Sequence, residues 1–503
     1  MKINQKQVRN SLIVAILIAV LCASSYYYGV SPSYVGDTGE LWVNPPFSEA
    51  SYVVGQYNST YYYAKNCTTG KYDFGNVAVS AGYVSSNATY VIQACQGDNR
   101  TVFVKGGDYY INYGILITSR HFTLVGEGAG ATTFIIGANG GITFTRSASA
   151  TFRYNNKVLN IKFDGQNVAS YAVRSRKTDA GNLILENFEV GWCWFTGFDT
   201  AGAHPLDLTG LEGGSIHNNL FDAGYTQIYL WEDGTYEAGN CKIVDNSFYI
   251  PHSSSVGVMI NCSSNDADSG VGAITVEDNH FLGDDNGAYA VVIDTTASQI
   301  TCGHNKILRN RCEDCNIVKT VSPTQYIKYT EIKDNDAKSA SGSIIDLCQN
   351  TSVSEICGNI LYASVGSVYF IKDACDSSTV SEINRFYDNC LYGTALVSFT
   401  GYSYVANNKG LNPLSVSTLY RASAGSISFY GIYGDWNNGT VYTVRTTDMF
   451  LCVTGGAGVN ITLYDKNNVQ MITNLGAGIY PIAWGQKFKI VYTSAPTVVF
   501  DWK

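Results

Sequence analysis

The densest group of residues with chemistry to offer lies between positions 191 and 239. "GWCWFTGFDTAGAHPLDLTG" holds Trp192, Trp194, Phe195 and Phe198, and "GYTQIYLWEDGTYEAG" holds Tyr225, Tyr229, Trp231, Glu232, Asp233 and Tyr236. Three of the seven Trp fall here, mixed with carboxylates. Aromatic rings stack on the C–H faces of sugars, and carboxylates bind hydroxyls or move protons. Trp192, Trp194, Tyr229, Trp231 and Glu232 are therefore expected to be substrate-binding residues of a carbohydrate groove. The competing reading is that the same rings pad a turn or a core layer.

A catalytic set emerges when acids are counted back from a recurring Asn. Thirteen residues before Asn187, Asn246 and Asn279 stand Arg174, Asp233 and Asp266, and Asp207 stands twelve before Asn219. A one-residue slip turns a strand residue to the opposite face unless a corner or bulge absorbs it. With that slip absorbed, coils about 4.8 Å apart would set Asp207 and Asp233 about 5 Å apart, near the spacing of a retaining glycosidase pair. Asp207 and Asp266 would be about 10 Å apart, at the upper limit for an inverting pair. Stacked acids also raise one pKa or recruit a cation such as Ca²⁺. Arg174 would neutralise an acidic sugar. The plainer reading is that these are ordinary turn acids.

Other chemistries find little support. There are six His and no Gly-x-Ser-x-Gly elbow, so nucleophilic catalysis has no candidate. Cys312-x-x-Cys315 lacks a second zinc-spaced pair, so no metal site is expected there. Gly126-x-Gly128 follows a strand-like run but opens no helix, which removes the dinucleotide reading.

The elements that must position these residues repeat. Asn160, Asn187, Asn219, Asn246, Asn279, Asn305, Asn335, Asn359, Asn384 and Asn408 recur in look-alike segments, at steps between 24 and 33 residues. A short apolar run precedes each Asn and another follows it. That pattern is strand, corner, strand, repeated as a stacked array. Asn suits a corner because it tolerates the left-handed region and hydrogen-bonds locally. Stacked coils would also let Asn side chains bond along a column.

"VFVKGGDYYI" (102–111) and "FTLVGEGAGATTFI" (122–135) add a strand, Gly, Tyr, strand, and then a strand running into Gly-x-Gly and a Thr. Here the chain resembles the pectate-lyase-like superfamily of right-handed parallel β-helices, over about residues 100 to 420. The resemblance implies the fold and leaves the activity open, because many functions share this scaffold. In that setting Arg174 could instead act as the base-like Arg of a β-elimination. "LGDDNG" (282–287) resembles the Gly-Asp-Asp of polygalacturonase-type glycoside hydrolases, which would give Asp284 or Asp285 the acid or base step. The rest of that pattern is missing: His304 is followed by Asn305, and no Arg-x-Lys follows downstream.

The expected fold is all-β, in four parts. Residues 1–30 form a signal-anchor or signal peptide: Lys2, Lys6 and Arg9 precede the uncharged Leu12–Val30 stretch, which places the body outside the membrane. Residues 31–100 form a stalk, a β-hairpin around Asn58-Ser59 and a helical cap. That cap starts from Ser85 or Ser86, with Tyr90, Val91 and Cys95 on its apolar side. Residues 101–420 form the parallel β-helix. Residues 421–503 form an antiparallel β-sandwich with hairpins at 437–439 and 466–468, a route to homo-oligomers or sugar binding.

Charged residues make up only 15% of the chain, against 50 Gly and 37 Tyr, and the net charge is −9. With no basic stripe, nucleic acid is not an expected partner. The 14 Cys, in an exported chain, suggest buried thiols plus some disulfides. Asn-x-Ser/Thr sites such as Asn58, Asn66 and Asn261 are compatible with glycosylation. The expectation is a membrane-anchored, cell-surface β-helix that binds, and can cleave, an extracellular polysaccharide as a lyase or glycoside hydrolase. Its rival is a non-catalytic adhesin, structural protein or virion spike.

Overall fold

A computed structural model describes residues 34–35, 41–42, 50–145, 152–176, 184–222, 224–231, 238–262, 271–284, 287–295, 302–322, 326–339, 341–363, 369–375, 384–393, 396–399, 403–406 and 408. Towards the C-terminus it describes 441–443, 449–454, 458–465, 467, 469–476, 478–482, 486–493 and 497–502. The expected membrane segment Leu12–Val30 lies outside the described residues. The chain divides into two units, Met1–Ser51 and Tyr52–Lys503. In the first, Tyr34–Val35 pairs antiparallel with Leu41–Trp42.

The second unit opens with the expected hairpin, Tyr52–Gln56 against Tyr62–Asn66. Asn58 turns it by accepting the backbone N–H groups of Thr60 and Tyr61, each at 2.9 Å. The cap helix spans Ala88–Ala94, and its N-cap is Asn87 rather than Ser85 or Ser86. Asn87 has extended backbone and accepts the N–H of Tyr90 at 3.1 Å, the bond an N-cap supplies. Ser85 is instead paired through its backbone with Tyr62. Tyr90 is 48% exposed, while Ala88, Val91, Ile92 and Cys95 join the main core.

Beyond the cap, the coils from Lys157 to Ser352 each contribute one short strand to each of four faces, whereas Gly107–Ile117 and Thr132–Phe144 are long strands that each run along the second and third faces together. One coil runs Glu189–Gly191, Trp194–Thr196, Leu206–Thr209 and Leu211–Glu212; the next runs Ser215–His217, Leu220–Asp222, Thr226–Trp231 and Ala238–Gly239. Strands pair in parallel with the equivalent strands of the next coil. The first face is a 14-stranded sheet that reaches Ser403–Ala406, and the fourth has eight strands. This is a parallel β-helix, as the Asn repeat implied.

Side-chain alternation fills the interior. On the first face Val190, Ile216, Ile243, Val276, Ile307, Ile332 and Ile356 occupy one register column and are all buried. On the second face Phe163, Phe195, Phe221, Phe248 and Phe281 stack with centroids 4.5–5.2 Å apart and planes within 10°. Cys312 then continues that column. Cys193, Cys241 and Cys312 are buried thiols without disulfides and act as small apolar side chains.

Two corners flank the first face, and each begins with a left-handed residue. Between the first and second faces these are Asn160, Trp192, Asn218, Asp245, Asp278, Arg309, Asp334, Gly358 and Asp388, with φ between 50° and 70°. The residue that follows turns inward. From Asn219 onward that residue is a buried Asn: Asn246, Asn279, Asn310, Asn335, Asn359, Asn389 and Asn408. Each donates through Nδ2 to Oδ1 of the next, at 2.8–3.0 Å, from Asn219 down to Asn408. The same Oδ1 accepts the backbone N–H of the preceding ladder Asn. Asn310 and Asn389 therefore stand where the sequence pattern suggested Asn305 and Asn384. Asn305 and Asn384 belong to the corner between the fourth and first faces, where they accept the N–H groups of Ile274 and Ser354. Asn160 and Asn187 are left-handed corner residues.

The C-terminal region forms a four-stranded and a three-stranded antiparallel sheet. Leu451, Ile461, Leu463, Ile482, Phe488 and Ile490 form a buried cluster shared by the two sheets. The pairing of Asn460–Tyr464 with Gln470–Leu475 brackets the expected turn at 466–468, while 437–439 lies outside the described residues.

Removing one rung tests the ladder. Asn279→Ala deletes the acceptor of two bonds from Asn246 and the donor to Ile243 O, Glu277 O and Asn310 Oδ1. Unmade bonds at buried groups cost about 1–3 kcal/mol each, so a loss of about 3 kcal/mol is expected by thermal or denaturant unfolding. Asn305→Ala, which removes one backbone acceptor bond and a contact to Cys302, should cost less. Equal midpoints for Asn279→Ala and wild type would remove the ladder from the account of stability.

Candidate functional site

The third face carries an open cleft of about 390 Å³. Its floor is one register column: Arg174 pairs with Asp207, and Asp207 with Tyr229. Leu206, Leu208, Ile228 and Leu230 point into the core, so alternation turns Asp207, Tyr229 and Trp231 outward. Arg176 lies just past Val173–Ser175. Ser170, Tyr171, Gly202 and His204, from the connections between the second and third faces, complete the wall.

Asp207 is 6% exposed and both its oxygens are engaged. Oδ2 lies 2.9 Å from a terminal nitrogen of Arg176, and Oδ1 accepts the indole N–H of Trp231 at 2.8 Å. The Arg176 guanidinium also sits 5.3 Å from the Trp231 ring centre. One carboxylate thus fixes an indole and a guanidinium together, an arrangement strengthened by charge-assisted bonding. Arg174 is held differently. Its guanidinium lies 3.9 Å from the Tyr171 ring centre, Nε donates to Thr143 Oγ1 at 3.0 Å, and Thr143 meets the Tyr171 hydroxyl at 3.1 Å. Among the described residues no carboxylate pairs with Arg174, so its two terminal nitrogens form an oriented fork.

Tyr229 accepts a hydrogen bond from Asn261 Nδ2 at 2.6 Å and stacks on His204, with centroids 4.6 Å apart and planes 13° apart. Burial raises the Tyr229 pKa; the Asn261 amide opposes this and Asp207 adds to it. Burial lowers the His204 pKa against the pull of Asp207, so the ring is neutral at neutral pH. His204 Nδ1 is buried and has no hydrogen-bond partner. The ring braces the cleft through its stack on Tyr229, and this buried nitrogen is not presented to a ligand.

Of the candidate residues, Arg174, Asp207, Tyr229 and Trp231 lie together in this cleft. The acid column does not keep the counted register. The neighbour of Asp207 on the next coil is Tyr229, and the neighbour of Tyr229 is Met259. The reason is the number of residues between the third and fourth faces, which differs from coil to coil. Residues 232–237 and 263–270 are inserted between this column and the ladder Asn, so a fixed count from the Asn drifts. Glu232, Asp233 and Asp266 lie in those segments, outside the described residues.

Trp192 and Trp194 belong elsewhere. Trp194 is on the second face, with Lys162 Nζ 4.1 Å from its ring centre. Trp192 stands at the corner beside it, against His217. Asp284 accepts the Tyr249 hydroxyl at 3.0 Å, next to the second face, and Asp285 is outside the described residues. Arg176, Tyr171 and His204 are site residues that the sequence reading missed. Arg176 was accessible, since it is two residues from Arg174 and shares its side of the strand. Tyr171 and His204 lie in connections, where strand periodicity says nothing.

No family model matches the chain, and no curated protein matches it. Solved structures do. The tailspike protein of E. coli bacteriophage HK620, in complex with pentasaccharide, is 13% identical over 94% of this chain and 96% of its own, with a TM-score of 0.40. A mutant of DFA-IIIase from Arthrobacter chlorophenolicus, in complex with DFA-III, is 14% identical over 62% of this chain and 75% of its own, with a TM-score of 0.36. The mannuronan C-5 epimerase AlgE4 A-module of Azotobacter vinelandii is 14% identical over 62% of this chain and 91% of its own, with a TM-score of 0.32.

Two measurements probe this architecture. Asp207→Asn keeps the side-chain shape but leaves Arg176 without its counter-charge and loosens the Trp231 indole. With Arg176 partly exposed, about 1–3 kcal/mol of stability should be lost, together with a shift in tryptophan fluorescence; an unchanged spectrum and midpoint would deny Asp207 this bracing role. The second concerns Glu189 on the first face. Burial works against its carboxylate, but Lys157 and His217 more than offset this and hold its pKa below the ordinary 4.5. A depressed carboxylate pKa stabilises the fold above the unfolded value and loses that contribution as pH falls through the folded one. The melting-temperature gap between wild type and Glu189→Gln should be open at neutral pH and close below about pH 4.5.

Proposed function

We propose that the third-face cleft binds a carboxylate-bearing glycan chain, and that the protein presents this wall outside the cell. One observation carries the reading: an indole locked by Asp207 shares the cleft with an arginine fork, Arg174, that has no acidic partner among the described residues. A fixed ring offers a stacking surface to a pyranose at little entropic cost. An anchored guanidinium matches a carboxylate through two parallel bonds. The Tyr171 and Tyr229 hydroxyls supply further partners for sugar hydroxyls.

Recognition is better supported than cleavage. Asp207 is the sole carboxylate lining the cleft among the described residues, and both its oxygens are already engaged. A glycosidase needs two carboxyl groups flanking the scissile bond. A glycan-array screen with product analysis of each hit tests both statements. Trp231→Ala should weaken binding by about 1–3 kcal/mol, by analogy with losing one stacked ring from a nucleic-acid site. Arg174→Ala should erase the preference for an acidic chain over its methyl ester. Binding untouched by either change would remove the cleft from function. Unsaturated products formed from a bound uronate would instead make the protein a lyase.

A further inference from the structure

Trp192 is an expensive residue to place where it stands. It occupies the left-handed position of the corner between the first and second faces, with φ of 52°. The same position in the coils on either side is Asn160 and Asn218, a residue type that, after Gly, tolerates this region well. A bulky side chain there is a genuine outlier, and such strain persists only where the surroundings enforce it.

The surroundings are built to hold this one ring. Trp192 packs edge-on against His217, with centroids 4.5 Å apart and planes at 88°. His217 is fixed at both nitrogens: Nε2 lies 3.1 Å from Glu189 Oε1, and Nδ1 lies 3.0 Å from Asn218 Oδ1. Glu189 is in turn tied to Lys157 at 2.6 Å. The imidazole lies over Gly191, where a Cβ would come within 2.6 Å of it. After all this bracing the indole remains 50% exposed. On the neighbouring second face, the Trp194 ring is already covered by Lys162. Trp192 is therefore a single rigid exposed indole among Lys157, Glu189, Asn160 and Asn218.

We propose that Trp192 is a second sugar-stacking platform, separate from the third-face cleft. One flat ring bordered by hydrogen-bonding side chains fits the apolar face and hydroxyl rim of a pyranose. The platform also needs no charged group on the sugar, unlike the cleft.

The full chain can be tested by affinity electrophoresis in gels cast with polygalacturonate, alginate, dextran, xylan or β-glucan. At least one polymer should retard the wild type, and Trp192→Asn should raise its dissociation constant about fivefold or more. The melting temperature should stay level or rise, because Asn is at ease in the left-handed region. Trp192→Phe, which returns a ring, should recover part of the retardation. No retardation of the wild type by any polymer overturns the proposal. So does retardation that Trp192→Asn leaves unchanged, or a binding loss that comes with a lowered melting temperature and no recovery in Trp192→Phe. Trp231→Ala, run alongside, separates the two sites. Loss there with Trp192→Asn unaffected leaves the cleft standing and removes this platform.

Discussion

The structure depends on how a buried corner amide finds its partner. A chain that turns sharply between two short strands must point one N–H into the interior, where an unmade bond is costly. In this β-helix the ladder Asn of the next coil supplies the acceptor, and the same oxygen takes the Nδ2–H of the Asn before it. The corner thereby becomes fully bonded, and the coil spacing is fixed at the same point. From Asn219 onward, that anchoring holds each coil in register with the next.

The third-face cleft shows what such a frame permits. Arg174, Asp207 and Tyr229 meet because parallel register stacks one position of three successive coils. The connections from the second to the third face then add Tyr171 and His204 as side walls. Within the cleft, the buried carboxylate of Asp207 serves its neighbours by aligning Trp231 with Arg176. Asp207 and the ladder Asn share one logic, in which a buried polar side chain is tolerated because its neighbours answer its hydrogen bonds.

Much of the fold was legible because the interior demands repetition. Asn219, Asn246, Asn279, Asn335, Asn359 and Asn408 stand out in the sequence and all lie in the ladder. Asn305 and Asn384 look equivalent to the ladder residues because each coil has two corners with similar needs, and in these two coils both corners carry an Asn, Asn305 with Asn310 and Asn384 with Asn389. The cleft was only half legible for a related reason. Strand residues such as Arg174 and Trp231 obey alternation, whereas Asp233 and Asp266 fall in connections whose length differs from coil to coil, where a fixed count from the ladder Asn drifts. His204 carries no periodic signal at all.

The ladder also has a direction in time. Each Asn from Asn219 to Asn389 gives its N–H to the coil that follows it in the chain. During synthesis the newest coil therefore ends in an amide whose acceptor has not yet been made. Each completed corner waits for the next few dozen residues to emerge, so growth proceeds as a zipper whose leading tooth is always open.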